Sequence, residues 1–194
     1  MINKRFQDKH LILASASPRR QYLMKELGLD FEILAPQVHE SYPTGLTPEQ
    51  IAIYLAELKA GNFDSSRFQD DTILITADTI VAIRDEILGK PGSYREAVCM
   101  LEKLSGHKHD VITAVCLKSK FRQKTFHVLS SVYFKKLSME EIDYYIENFR
   151  PFDKAGGYGV QEWIGYIGIT KIDGSFFNIM GLPVRELYEE LLRF

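Results

Sequence analysis

Two short stretches of this chain carry residue types suited to a phosphorylated ligand. The first is SASPRR, residues 15–20, and the second is ADT, residues 77–79. Ser15 and Ser17 supply hydroxyls, and Arg19 and Arg20 supply guanidiniums whose planar forks donate paired hydrogen bonds to phosphate oxygens. Asp78 interrupts an otherwise apolar run, TILITADTIVAI. A carboxylate there is costly unless it is ion-paired, metal-bound or reached by a cleft. Such a carboxylate can hold Mg²⁺ or take a proton from water.

Further polar groups sit where the backbone is constrained. Gly89 and Pro91 flank Lys90 and hold it in place. In PFDKAGGYGVQ, residues 151–161, three glycines surround Asp153, Lys154 and Tyr158 and suggest backbone brought close to a ligand or to another segment. Lys59, at the end of a helical pattern, reads on its own as an ordinary surface lysine, and Glu40 lies in a polar loop spanning 36–45. His107 and His109 share one face of a strand, but two ligands without nearby Cys or carboxylate partners are a weak zinc signal, and a solvated strand edge is the simpler reading.

These residues must be positioned by regular elements. Residues 11–14 read as a strand, followed by a helix capped by Ser17 with Pro18 at its first position and stopped by Gly28. A strand running into a helix N-terminus exposes free N–H groups and positive dipole, which favours anions. Residues 31–34 read as a strand, and Thr47, Pro48 and Gln50 start a capped helix. Residues 72–83, apolar on both faces, read as a central strand.

Ser93 with Glu96 and Ser138 with Glu141 mark two more capping boxes. Residues 107–118 and 124–134 alternate as an antiparallel hairpin. Residues 164–172 read as a strand with bulges at Gly165 and Gly168, and 184–192 as a last helix. Strands and helices largely alternate, so the fold class is α/β with a mixed twisted sheet flanked by helices. In such sheets ligands lie beyond the carboxyl ends of strands, where 15–20 and 78–79 meet if their strands are parallel neighbours.

The 194 residues suffice for one domain with a sizeable core, and no repeat, linker or low-complexity tract divides them. A formal charge of −2 provides no overall field for nucleic acid or anionic membrane, so anion binding must be local. Cys99 and Cys116 read as reduced core residues. No signal peptide and no bilayer-spanning run is read, so the expected location is the cytoplasm.

Taken together, SASPRR, Glu40, ADT, LGKP at 88–91, LSG followed by His109, DKAGGYGVQ at 153–161 and NIMGLP at 178–183 resemble the Maf family of nucleoside triphosphate pyrophosphatases, once named for septum formation. The likeness runs nearly end to end, in order and spacing. It implies a two-lobed α/β fold with a central cleft, similar to the inosine triphosphatase fold, as a single domain that is usually a homodimer. It also implies cleavage of the α–β phosphoanhydride of a nucleoside triphosphate to monophosphate and pyrophosphate with a divalent ion, Mg²⁺ first, with Mn²⁺ or Co²⁺ as alternatives.

By that resemblance Asp78 matches the proton acceptor, and Arg19, Thr79 and Gln161 match positions tied to base selectivity. Ser15, Ser17, Arg20, Lys59, Lys90 and Lys154 fall to phosphate binding, and Glu40 joins Asp78 as a metal contact. SPRR, ADT and Y-x-x-Q resemble the branch acting on dTTP and UTP. Two positions depart from the pattern: His39 stands where many members have Asp, and Glu162 follows Gln161 where glycine is common. The alternatives are a pyrophosphatase of other nucleotides such as 7-methyl-GTP or CTP, and a nucleotide-binding regulator of cell division. A serine hydrolase is disfavoured, since there is no G-x-S-x-G elbow.

Overall fold

A computed structural model describes residues 6–194 except Pro36, Gln37, Ser65, Arg67 and Asp85. The start of the 36–45 loop and the centre of the turn after residue 83 therefore lie outside the described residues. The chain forms β1 (His10–Leu13), α1 (Pro18–Glu26), β2 (Glu32–Ile33), α2 (Pro48–Gly61), β3 (Thr72–Ile83), β4 (Glu86–Leu88), α3 (Tyr94–Leu104), β5 (Lys108–Lys118) and β6 (Gln123–Phe134). It continues with α4 (Met139–Phe149), a 3-10 turn (Ala155–Gly157), α5 (Trp163–Gly168), β7 (Ile169–Asp173), α6 (Phe176–Met180) and α7 (Val184–Arg193).

The strands make one seven-stranded sheet in the order β2-β1-β3-β5-β6-β7, with β4 paired to β3. β1 runs parallel to both β2 and β3, while β3–β4 and β6–β7 are antiparallel, so the sheet is mixed as expected. Two compact units divide the chain. The first comprises Met1–Asp78, Thr113–Val128 and Gly181–Phe194, and the second Thr79–Ile112 and Leu129–Met180. No helix among the described residues is long and apolar enough to cross a membrane.

In the first unit the helix starts follow their caps. Ser17 Oγ accepts from the Arg20 N–H, with Pro18 in the first turn. Thr47 and Gln50 exchange both bonds of a capping box. Ile51, Ala52, Leu55, Ala56 and Ala60 form the buried face of α2. The strand expected at 31–34 shortens to two residues, both exposed.

In the second unit Ser138 and Glu141 complete their capping box. At α3 only half of the expected box forms: Ser93 caps Glu96, but the Glu96 carboxylate accepts from the Gly92 N–H at 2.8 Å instead. The largest departure is at 164–172, which is helix α5 followed by strand β7 rather than one strand. Gly165 and Gly168 are not bulges. A β-carbon on Gly168 would meet the Phe134 ring at 3.1 Å, and one on Gly165 would lie 2.0 Å from the Val160 carbonyl oxygen. These glycines admit close neighbours to a short helix, and glycines in an apolar run had read as bulges in a strand. The irregularity in pairing falls instead on β6, between Tyr133 and Phe134. Cys116 is buried as expected, whereas Cys99, on α3, is exposed.

Candidate active site

The first unit brings three of the expected residues, Glu40, Lys59 and Asp78, into one constellation. Thr76 on β3 donates its hydroxyl to the Ala56 carbonyl of α2 at 2.7 Å. Asp78 lies two residues beyond Thr76 on the same face of the strand, and Lys59 lies three beyond Ala56 along the helix. That one hydrogen bond therefore sets the register that delivers Lys59 to Asp78. Lys59 Nζ is 2.5 Å from Asp78 Oδ1 and 2.8 Å from Glu40 Oε1. The Asp78 side chain is 9% exposed and that of Lys59 14%, while Glu40 is open to solvent at 41%. One cation thus joins two carboxylates, and the buried carboxylate is paired as its environment requires.

Beside this cluster the SASPRR turn is tightly knitted. The Ala14 N–H donates to the Ile75 carbonyl, extending the β1–β3 pairing. The Ser17 N–H donates to Ser15 Oγ at 3.3 Å, and Gln21 Nε2 donates to the Ser15 carbonyl at 3.2 Å. Arg20 donates through Nε to the Gly181 carbonyl at 2.7 Å and through Nη1 to the Ala77 carbonyl at 2.9 Å. Two of its five donors are therefore committed to backbone, one of them to the residue preceding Asp78. Burial lowers the pKa of Arg20, and the Asp78 charge opposes that shift. Arg19, part-buried, belongs to the same turn.

The remaining expected residues lie in the second unit. Thr79 follows Asp78 on β3 and is half-buried, and Lys90 is exposed. Lys154 is buried, with Nζ 2.6 Å from Asp153 Oδ1 and 3.2 Å from Glu162 Oε1. Gln161 carries a buried Oε1 with no hydrogen-bond partner among the described residues. A buried acceptor left open in this way is a place for a ligand donor.

His109 is not at a solvated edge: it is 2% exposed, stacked on Phe134, with Nε2 2.7 Å from the Tyr158 hydroxyl. His107 is exposed and precedes β5, so the two histidines do not form a metal pair. Burial lowers the His109 pKa to about 4, against the raising influence of the Asp110 charge. The unfolded chain, with a histidine pKa of about 6.5, then binds the proton first. This contribution to stability is complete above that value and is lost as pH falls toward 4. Wild type is expected to lose about 3 kcal/mol from this group between pH 7 and pH 4. His109→Gln should show a correspondingly flatter pH dependence in denaturant titrations, and equal slopes would contradict the assignment.

Sequence reasoning gave no role to Tyr145 of α4. It is fully buried, donates to Glu162 Oε2 through its hydroxyl and accepts the Gly159 N–H at 2.9 Å. It also missed Gly181, whose carbonyl holds Arg20. The only available signal for that was the NIMGLP motif itself.

With a carboxylate–lysine–carboxylate cluster gathered at the middle of β3, beside a capped, arginine-bearing helix start, this chain is an α/β protein carrying groups suited to an anionic ligand. Its fold is that of the Staphylococcus aureus Ham1 protein, with a TM-score of 0.51 at 16% identity over 94% of this chain and 100% of that one. That agrees with the expected inosine-triphosphatase-like architecture.

The sequence is more specific. The family described as "Maf-like protein" matches residues 10–194, and the chain belongs to the Maf family. A Flavobacterium psychrophilum relative named dTTP/UTP pyrophosphatase is 48% identical over 99% of this chain and 98% of its own length. Relatives of the same name from Porphyromonas gingivalis and Bacteroides thetaiotaomicron are 51% and 52% identical, each over 95% of this chain and 94% and 96% of their own lengths.

Proposed function

We propose that this Maf protein hydrolyses dTTP and UTP to the nucleoside monophosphate and pyrophosphate, clearing the nucleotide pool. The observation that carries the reading is the Lys59 ammonium lying between Asp78 and Glu40. Relatives of about half-identical sequence, named for this activity, supply the substrate class.

A triphosphate brings about four negative charges that must be balanced before water can approach. Ser15, Ser17, Arg20, Lys59, Lys90 and Lys154 are assigned to the phosphate chain. Asp78 takes the proton of the attacking water as its oxygen bonds to the α-phosphorus. The bond from that phosphorus to the oxygen bridging to the β-phosphate then breaks, and pyrophosphate leaves.

Two carboxylates already gathered on one cation are the oxygen donor set that a hard divalent ion takes together with phosphate oxygens and water. Among the described residues no group of three His, Cys, Asp or Glu forms a complete protein cage, which suits an ion shared with substrate. Asp78 and Glu40 would hold it, with Mg²⁺ first and Mn²⁺ or Co²⁺ as alternatives. When bound it supplies charge neutralisation and a more acidic water. We further place the enzyme in the cytoplasm as a homodimer, with neither nucleic acid nor membrane as partner.

Base selection is assigned to Arg19, Thr79 and Gln161. The open Gln161 Oε1 needs a donor, and the N3–H of uracil or thymine is one, whereas N3 of cytosine is an acceptor. The amide nitrogen can meanwhile donate to a base carbonyl. Gln161→Glu removes that donor, so kcat/KM for UTP relative to CTP should fall about tenfold, the worth of one hydrogen bond. An unchanged ratio would take Gln161 out of base reading.

The decisive experiment incubates the protein with UTP, dTTP, CTP and 7-methyl-GTP in Mg²⁺ and identifies the products. UMP and dTMP with pyrophosphate are expected. UDP with phosphate, or binding without cleavage, would overturn the assignment.

A further inference from the structure

We propose that Glu162 is a positioning residue, which fixes the turn carrying Gln161 by way of the Tyr145 hydroxyl and so sets the preference for uracil over cytosine. The proposal rests on the base-reading role assigned to Gln161 above.

The Glu162 N–H donates to the Gly159 carbonyl at 3.0 Å, closing a four-residue turn in which Gln161 is the third member. Both ends of that turn are tied to one buried hydroxyl. Tyr145 accepts the Gly159 N–H at 2.9 Å and donates to Glu162 Oε2, so its single proton and one lone pair are both used and their directions are dictated. Burial, followed by the Glu162 hydrogen bond, raises the Tyr145 pKa, so the phenol keeps its proton and remains the donor.

Other contacts complete the clamp. A β-carbon on Gly159 would lie 2.7 Å from Glu162 Cδ, so the carboxylate packs directly over that glycine. The other Glu162 oxygen, Oε1, is 3.2 Å from Lys154 Nζ. Tyr166 donates its hydroxyl to the Gln161 carbonyl at 2.8 Å. The Gln161 backbone is thus held from both sides while its Oε1 is left buried and open. Both Glu162 oxygens are engaged within the protein, one by Tyr145 and the other by Lys154.

Trp163 supplies the probe. It is the only tryptophan in the chain, follows Glu162 directly and packs on Tyr144 with ring centroids 4.7 Å apart. The test is a fluorescence titration of wild type, E162Q, E162A and Y145F with non-hydrolysable α,β-methylene analogues of UTP and CTP. Wild type is expected to bind the UTP analogue about tenfold more tightly than the CTP analogue. E162A and Y145F should each bring that ratio to near one, and the double variant should be no worse than either, because both break the same link. E162Q, whose amide oxygen still accepts the Tyr145 proton, should keep the ratio within about twofold of wild type.

A residue serving stability alone would lower the melting temperature and leave the ratio untouched, and that result overturns the proposal. So does an E162Q that behaves like E162A, which would assign the effect to charge on Lys154. A wild type without preference overturns it as well. Hydrolysis of UTP by wild type, assayed alongside, separates the two levels. Cleavage with an unmoved ratio in E162A and Y145F defeats this inference alone, and absence of cleavage defeats the pyrophosphatase reading.

Discussion

Asp78→Asn is expected to lower UTP turnover by about a thousandfold while leaving the fold intact and the nucleotide affinity within a few-fold. The amide has nearly the same shape but can neither take a proton from water nor carry charge toward a cation. The fold should survive because Lys59 does not lose all compensation: its ammonium keeps the Glu40 carboxylate at 2.8 Å. Arg20 likewise keeps its bonds to the Ala77 and Gly181 carbonyls, which the substitution does not touch. Steady-state kinetics with pyrophosphate release, together with a thermal melt, give both halves of the result. Turnover within tenfold of wild type would remove Asp78 from proton transfer.

Gly165→Ala is expected to be the most destabilising single-methyl change in the second unit. The new carbon would lie 2.0 Å from the Val160 carbonyl oxygen and 2.8 Å from its carbonyl carbon. Those atoms are backbone, so no side-chain rotation relieves the clash, and the 160–165 segment has to move. That segment is closed by the Gly165 N–H donating to the Glu162 carbonyl at 2.8 Å, and it holds Gln161. A cost of about 3 kcal/mol or more follows for forced overpacking against backbone. In a chain of this size it corresponds to a melting temperature lower by roughly 6–12 °C. UTP selectivity should decline with it. A melt within one or two degrees of wild type would show that the segment yields more easily than its contacts imply.

What could be read from the sequence was what is decided within a few residues of chain. Thr47 with Gln50 and Ser138 with Glu141 announce helix starts because a cap and the residue it exchanges bonds with lie three residues apart, and Ser17 does so because Pro18 follows it directly. The 72–83 strand was legible to its end residues because a run rich in Ile, Val and Thr, with neither Gly nor Pro and with Asp78 as its one charge, leaves little choice. The motif order and spacing were enough to reach the family. The same local logic failed at 164–172, where glycines needed for close packing read as bulges in a strand, and at His109, whose burial depends on Phe134 and Tyr158 rather than on its neighbours in sequence.

Only the tertiary structure decided which polar groups meet. Nothing near Lys59 in the sequence distinguishes it from a solvated lysine. Its meaning comes from Asp78, 19 residues on, and from the Thr76–Ala56 bond that sets the register between helix and strand. Arg20 and Gly181 are 161 residues apart, and Tyr145 and Glu162 belong to different elements. Pairings of this kind depend on how elements pack. Packing is the sum of many weak contacts over the whole chain, so no short window of sequence contains it.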